Sequence, residues 1–134
     1  GQEMIGHNVN LDIRGGSGAL SEIQSALDSL WPSNAHVRCS IRKQVAMAVA
    51  EIAANIIEHA RASSIRMEVH VHPNEVEVEF TDNGRPAEID LTSIRMPGAM
   101  AERGRGLAIA LAALREVSYC RRGSANHWRL LSHE

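Results

Sequence analysis

The 134 residues suffice for one hydrophobic core and are too few for two, so a single domain over residues 1–134 is expected. Hydrophobic residues make up 44% of the chain, yet only Trp31, Phe80, Tyr119 and Trp128 are aromatic, so Ala, Val, Ile and Leu must build that core. A net charge of −2 lacks the basic stripe that nucleic-acid binding requires, and charged residues or His interrupt every apolar run, so neither nucleic acid nor membrane is an expected partner.

Residues 8–14 alternate apolar and polar side chains (Val9, Leu11, Ile13) and are expected to form a strand before Gly15-Gly16. Leu20, Ile23, Leu27 and Leu30 recur at helical spacing until Trp31-Pro32 stops the run. A second helical stretch covers about residues 37–61, with room for a break near Ser40. Its apolar face is Val45, Val49, Ile52 and Ile56, while Ala46, Ala50 and Ala53 line a side open to close packing. Ile65, Met67, Val69 and Val71 alternate with Arg66, Glu68, His70 and His72; Pro73-Asn74 turns the chain; Val76, Val78 and Phe80 alternate with Glu75, Glu77 and Glu79. That is a hairpin with one face on a core and the other, carrying His70 and His72, in water.

Residues 87–103 hold Pro97, Gly98 and little periodicity, the pattern of a long functional loop. Leu107, Leu111 and Leu114 mark a further helix, and residues 117–121 and 126–131 a closing strand pair. Runs of antiparallel strands with few helices specify an α+β fold, a two-layer α/β sandwich with helices on one face of a mostly antiparallel sheet. No Walker-type Gly-Lys-Ser/Thr or Gly-x-Gly-x-x-Gly motif supports a doubly wound alternative. Cys39 and Cys120 lack metal spacing and are expected as free thiols in a reducing cytoplasm. Gly1 stands where a Met would begin the chain, and we expect the natural start to lie upstream.

Three short motifs carry chemistry. Glu51, Asn55 and Glu58/His59 fall one turn apart on an otherwise apolar helix, forming a polar ladder. Asn55 offers a neutral oxygen suited to Mg²⁺, whose other positions phosphates and water fill. Glu51 can orient or deprotonate a hydroxyl. Taken alone, the same stripe also describes the exposed side of an amphipathic helix. Asp82, ending a strand, can accept from the exocyclic amine of adenine, and Gly84 lets backbone approach a flat ring; Asp-Asn-Gly-x-Pro is also an ordinary turn. Gly104-Arg105-Gly106-Leu107 places free N–H groups at a helix start where phosphates bind, with Arg95, Arg103 and Arg105 adding charge. The conjunction, in that order, is what a Mg-nucleotide site needs, and ATP is the expected ligand.

With those residues in place, the chain resembles the gyrase/histidine-kinase-type (GHKL) ATPases. Glu51-x-x-x-Asn55-x-x-Glu58-His59-Ala60, Asp82-x-Gly84-x-Pro86 and Gly104-Arg105-Gly106-Leu107 look like their three ATP-site boxes, over about residues 8–131. Within that superfamily it is most similar to anti-sigma-factor serine kinases. The resemblance implies Mg-ATP bound beneath a lid at residues 87–103, with Glu51 as catalytic base and Asn55 as Mg²⁺ ligand. It makes His59, Asp82, Gly84, Pro86, Arg103, Gly104, Arg105, Gly106 and Leu107 the nucleotide-binding set. It further implies a cytoplasmic homodimer that phosphorylates a serine on a STAS-domain antagonist and alternatively holds a sigma factor. The family's closing strand usually carries a Gly-Thr-type pair that helps hold adenine; here it reads Ala125-Asn126-His127-Trp128, with Asn126 at the hydroxyl's place. A binding module without phosphotransfer, or the ATPase half of a larger signalling protein, remains an open alternative.

Overall fold

The structure, a computed structural model, describes residues 5–12, 18–60, 62–86 and 112–133. Strand β1 (Ile5–Asp12) is followed by helices α1 (Ala19–Asp28) and α2 (Cys39–Asn55), and α2 runs into a π-helical turn (Ile56–Ala60). Strands β2 (Ser64–Val71), β3 (Val76–Asp82), β4 (Glu116–Arg122) and β5 (Ala125–Leu131) complete the order. The strands form one sheet in the order β1-β2-β3-β5-β4, antiparallel at every joint. This is the expected α+β sandwich.

The alternation legible in the sequence sets which face is dry. Ile65, Met67, Val69 and Val71 on β2, and Val76, Val78 and Phe80 on β3, are buried, as are Trp128 and Leu130 on β5. Ile23 and Leu27 of α1 and Val45, Val49, Ile52 and Ile56 of α2 join them in one cluster. Each fully buried Val, Leu or Ile contributes about 1.5–3 kcal/mol, so this aliphatic layer is the main source of stability. Ala48 and Ala53 are the fully buried alanines of α2, where Ala46 and Ala50 are half-buried. The close-packed side of the helix is thus rotated from the one expected.

Two boundaries differ from expectation for tertiary reasons. Strand β1 begins at Ile5, opposite Val71, because ladder bonds to the full length of β2 override the weak pattern of Gly6 and His7. Helix α2 keeps its α-helical bonding only to Asn55, and the wider π-helical turn breaks the expected ladder, leaving Glu58 exposed.

The outer face of the sheet is a charge lattice. Glu77 accepts hydrogen bonds from Arg129 Nε (2.6 Å) and pairs with His72 Nε2 (3.2 Å); Arg115 pairs with Glu75, and Arg129 also approaches Glu116 at 3.7 Å. His70 and His72 are therefore half-buried members of a network rather than bare surface residues. Burial pushes the Glu77 carboxyl up, but its bonds to Arg129 and His72 outweigh this and hold it below the ordinary 4.5. A depressed folded-state value stabilises above the ordinary value, and that stability is lost as pH falls through the folded one. Glu77→Gln should therefore cost roughly 1 kcal/mol at pH 7, with Arg129 half-exposed and screened. Urea melts from pH 6 to pH 3 should show wild type losing more stability below about pH 4.5 than Glu77→Gln; parallel losses would remove Glu77 from the acid response.

Candidate nucleotide site

One end of the sandwich gathers the residues singled out from the sequence. Ala60 closes the π-helical turn only four residues before β2 begins at Ser64, and Ile65 lies opposite Asp82 at the end of β3. Asp82 in turn lies opposite Asn126, at the start of β5. The C-terminal end of α2, the end of β3 and the start of β5 therefore share one pole. Asn83 ties the residues that lead into β2 to the end of β3: its Oδ1 accepts from the N–H groups of Ser63 (2.9 Å) and Ser64 (3.1 Å), and its Nδ2 donates to Ser63 Oγ (2.7 Å).

Asp82 is 2% exposed. Its Oδ1 accepts from the N–H of Gly84 (2.8 Å), an Asx turn, and from Nδ2 of Asn126 (2.9 Å). Its Oδ2 is buried and has no hydrogen-bond partner among the described residues. An orphaned buried carboxylate oxygen costs free energy, and evolved cores seldom keep one without a use. An amine donor, such as the 6-amino group of adenine, satisfies that atom, so the residues present fit an adenine nucleotide.

Asn55 is half-buried on the last turn of α2. Its Nδ2 donates to the carbonyl of Glu51 at 3.0 Å, which fixes the amide with Oδ1 turned away from the helix backbone. A single neutral oxygen fits a cation that brings the rest of its shell as phosphate and water, which is how Mg²⁺ binds. Among the described residues no group of three His, Cys, Asp or Glu forms a metal cage of its own. Glu51, half-buried one turn earlier, lies on the same face.

Gly84 is buried and held from both sides, since its carbonyl accepts from Arg121 Nη1 at 2.7 Å. Pro86 is exposed beside it. His59 lies in the π-helical turn, its side chain outside the described residues, as are Arg95, Arg103, Gly104, Arg105, Gly106, Leu107 and the lid at 87–103. Of the helix expected around Leu107 and Leu111 only the end is described, with Leu114 buried in the core.

Asn83, Tyr119 and Arg121 also belong to this pole, with no local signal in the sequence to single them out. Tyr119 and Arg121 alternate on β4 opposite Trp128 and Asn126, a signal readable only once the register is known. His127 faces the other side of the sheet, 3.4 Å from Thr81 Oγ1, while Trp128 shares the inner face with Asn126 and packs in the core against Tyr119. Asn83→Ala removes three bonds at an exposed site and should lower the unfolding free energy by about 1 kcal/mol. Chemical denaturation reads this directly, and an unchanged midpoint would deny the tether any weight.

A family model described as the histidine kinase-like ATPase domain matches residues 17–131. No curated protein sequence matches the chain. Among solved structures, the RsbU and RsbW domains of Rv1364c from Mycobacterium tuberculosis superpose with a TM-score of 0.66 at 17% identity, over 95% of this chain and 32% of that one. The chain thus spans about a third of that protein's structure. The histidine kinase domain of the Erythrobacter litoralis EL346 blue-light activated kinase gives 0.55 at 17% identity, over 87% of this chain and 60% of that one. The catalytic domain of histidine kinase ThkA gives 0.55 at 15% identity, covering 98% and 97% of the two chains. At these identities the structures establish the shared fold, and the family match establishes membership: the chain belongs to the histidine kinase-like ATPase domain family.

Proposed function

We propose that the protein is a Mg-ATP-dependent protein-serine kinase of the anti-sigma-factor type, which phosphorylates a STAS-domain antagonist and alternatively sequesters a sigma factor. The observation that carries the nucleotide part is the orphaned Oδ2 of Asp82, a buried acceptor whose need the adenine amine meets. Support for the protein-kinase part comes from the Glu51/Asn55 pair one turn apart and from the resemblance of the three motif boxes to those kinases. Asn55 Oδ1 would hold Mg²⁺, which neutralises charge on the triphosphate. Glu51 would accept the proton of the attacking serine hydroxyl as its oxygen bonds the γ-phosphorus and the bond to the β–γ bridging oxygen breaks, releasing ADP. Arg103, Arg105, Gly104 and Gly106 are assigned to the phosphates, His59, Pro86 and Leu107 to the walls, and residues 87–103 to the lid. One ATP-binding domain over residues 1–134, acting as a cytoplasmic homodimer, completes the proposal. Among the described residues no helix is long and apolar enough to cross a membrane.

A second reading, the ATPase half of a larger signalling protein, draws on the near-complete mutual coverage with the ThkA catalytic domain.

Positioning and electrostatics do most of the work in phosphoryl transfer, which fixes what each side chain should cost. Asn55→Ala should lose Mg-dependent ATP binding and transfer together. Glu51→Ala should keep binding and slow transfer by about 10²–10⁴-fold, the usual contribution of a general base. The assay is appearance of labelled γ-phosphate on a STAS-domain protein incubated with Mg-ATP. Wild-type transfer with the expected split between the two variants supports a kinase; ATP bound with no transfer to any STAS protein favours the second reading.

A further inference from the structure

The side chain of Asn126 is 1% exposed and uses both ends. Its Oδ1 accepts from Tyr119 Oη (2.5 Å) and Arg121 Nη1 (3.0 Å), both on the neighbouring strand. Its Nδ2 donates to Asp82 Oδ1 (2.9 Å) and to the carbonyl of Arg85 (2.7 Å), with a longer contact to the carbonyl of Gly84 (3.3 Å). Two donors on one end and acceptors only on the other permit one orientation of the amide. Arg121 adds its own bond to the Gly84 carbonyl, so the β4–β5 hairpin grips residues 82–85 from behind.

The consequence falls on Asp82. With Oδ1 engaged by Asn126 and by the Gly84 N–H, the carboxylate cannot rotate to share its load, and Oδ2 stays bare and fixed. A bare acceptor discriminates between ligands that offer a donor and ligands that do not, because the latter leave it unpaired. A hydroxyl at position 126 could donate to Asp82, yet it has one hydrogen and could not also hold the Arg85 carbonyl.

We propose that Asn126 is a positioning residue that sets base selectivity: by holding Asp82 Oδ1 and the 84–85 backbone together, it makes the site demand a 6-amino purine. This rests on the nucleotide reading of the site. Asn126 itself touches no nucleotide in this scheme and acts through Asp82.

The test compares Mg-ATP with the triphosphate of purine riboside, which lacks only the 6-amino group, by titration calorimetry. Wild type should prefer ATP by about 10- to 100-fold, the worth of one hydrogen bond to a charged acceptor. In Asn126→Ala the preference should fall below about threefold, through weaker ATP binding with purine-riboside triphosphate nearly unchanged. Asn126→Thr, which keeps one donor, should retain a preference above about threefold. A merely structural role predicts that both ligands weaken equally; an unchanged ratio in Asn126→Ala overturns the proposal. Amide hydrogen exchange of the nucleotide-free protein supplies an arm that needs no ligand. The Gly84 amide should exchange about tenfold faster in Asn126→Ala while the Val78 amide keeps its protection. If wild type binds neither nucleotide, the proposed function falls, and Gly84 exchange then decides on Asn126 alone: unchanged exchange rejects the positioning role.

Discussion

A buried carboxylate with one oxygen satisfied and the other bare is the constraint around which the rest of this molecule is arranged. Asp82 sits at the end of a central strand, 2% exposed, where a charge is expensive unless paired. The described residues supply two donors to Oδ1 and none to Oδ2. Such a half-satisfied group weakens the free protein and becomes useful only when a ligand completes it, the usual exchange of stability for function. Much of what surrounds it makes sense as a means of holding that carboxylate still.

Two polar side chains do the holding from opposite sides. Asn126 reaches Asp82 and the following loop from β5, backed by Tyr119 and Arg121 of β4. Asn83, the next residue in the chain, reaches the other way to Ser63 and Ser64 and joins the loop to the start of β2, just after the helical segment. The pole of the sandwich that gathers Asp82, Asn55 and Glu51 is thereby cross-linked by hydrogen bonds. The aliphatic layer beneath supplies stability without direction, since apolar burial does not specify angles. Direction comes from the amides.

The architecture was largely readable from the sequence because period-two alternation is a strong local signal. The run Ile65–Val71 against Val76–Phe80, with Pro73-Asn74 between, gave strands β2 and β3, their turn and their dry face. Glu51, Asn55, Asp82 and Gly84 were legible as residues out of keeping with their apolar surroundings or set at an element's end. The π-helical turn after Asn55 was not, because i and i+4 spacing continues in sequence while the backbone bonding changes beneath it. Nor was the clamp on Asp82. Asn126 lies 44 residues beyond it, and only the β3–β5 register sets the two opposite each other. Alternation along β5 sends His127 to the outer face, whereas Trp128 shares the inner face with Asn126 and fills the core opposite Phe80.

The central claim, that Asp82 keeps a bare oxygen for an adenine nucleotide, is tested most directly by Asp82→Asn. Oδ1 must still accept from Gly84 and Asn126, so the new amide nitrogen replaces Oδ2 and meets the base with a donor. Titration calorimetry with Mg-ATP should show affinity falling by about tenfold or more, while the melting temperature of the free protein holds or rises as a buried unpaired charge is removed. Equal heats and equal affinities for wild type and Asp82→Asn would contradict the account.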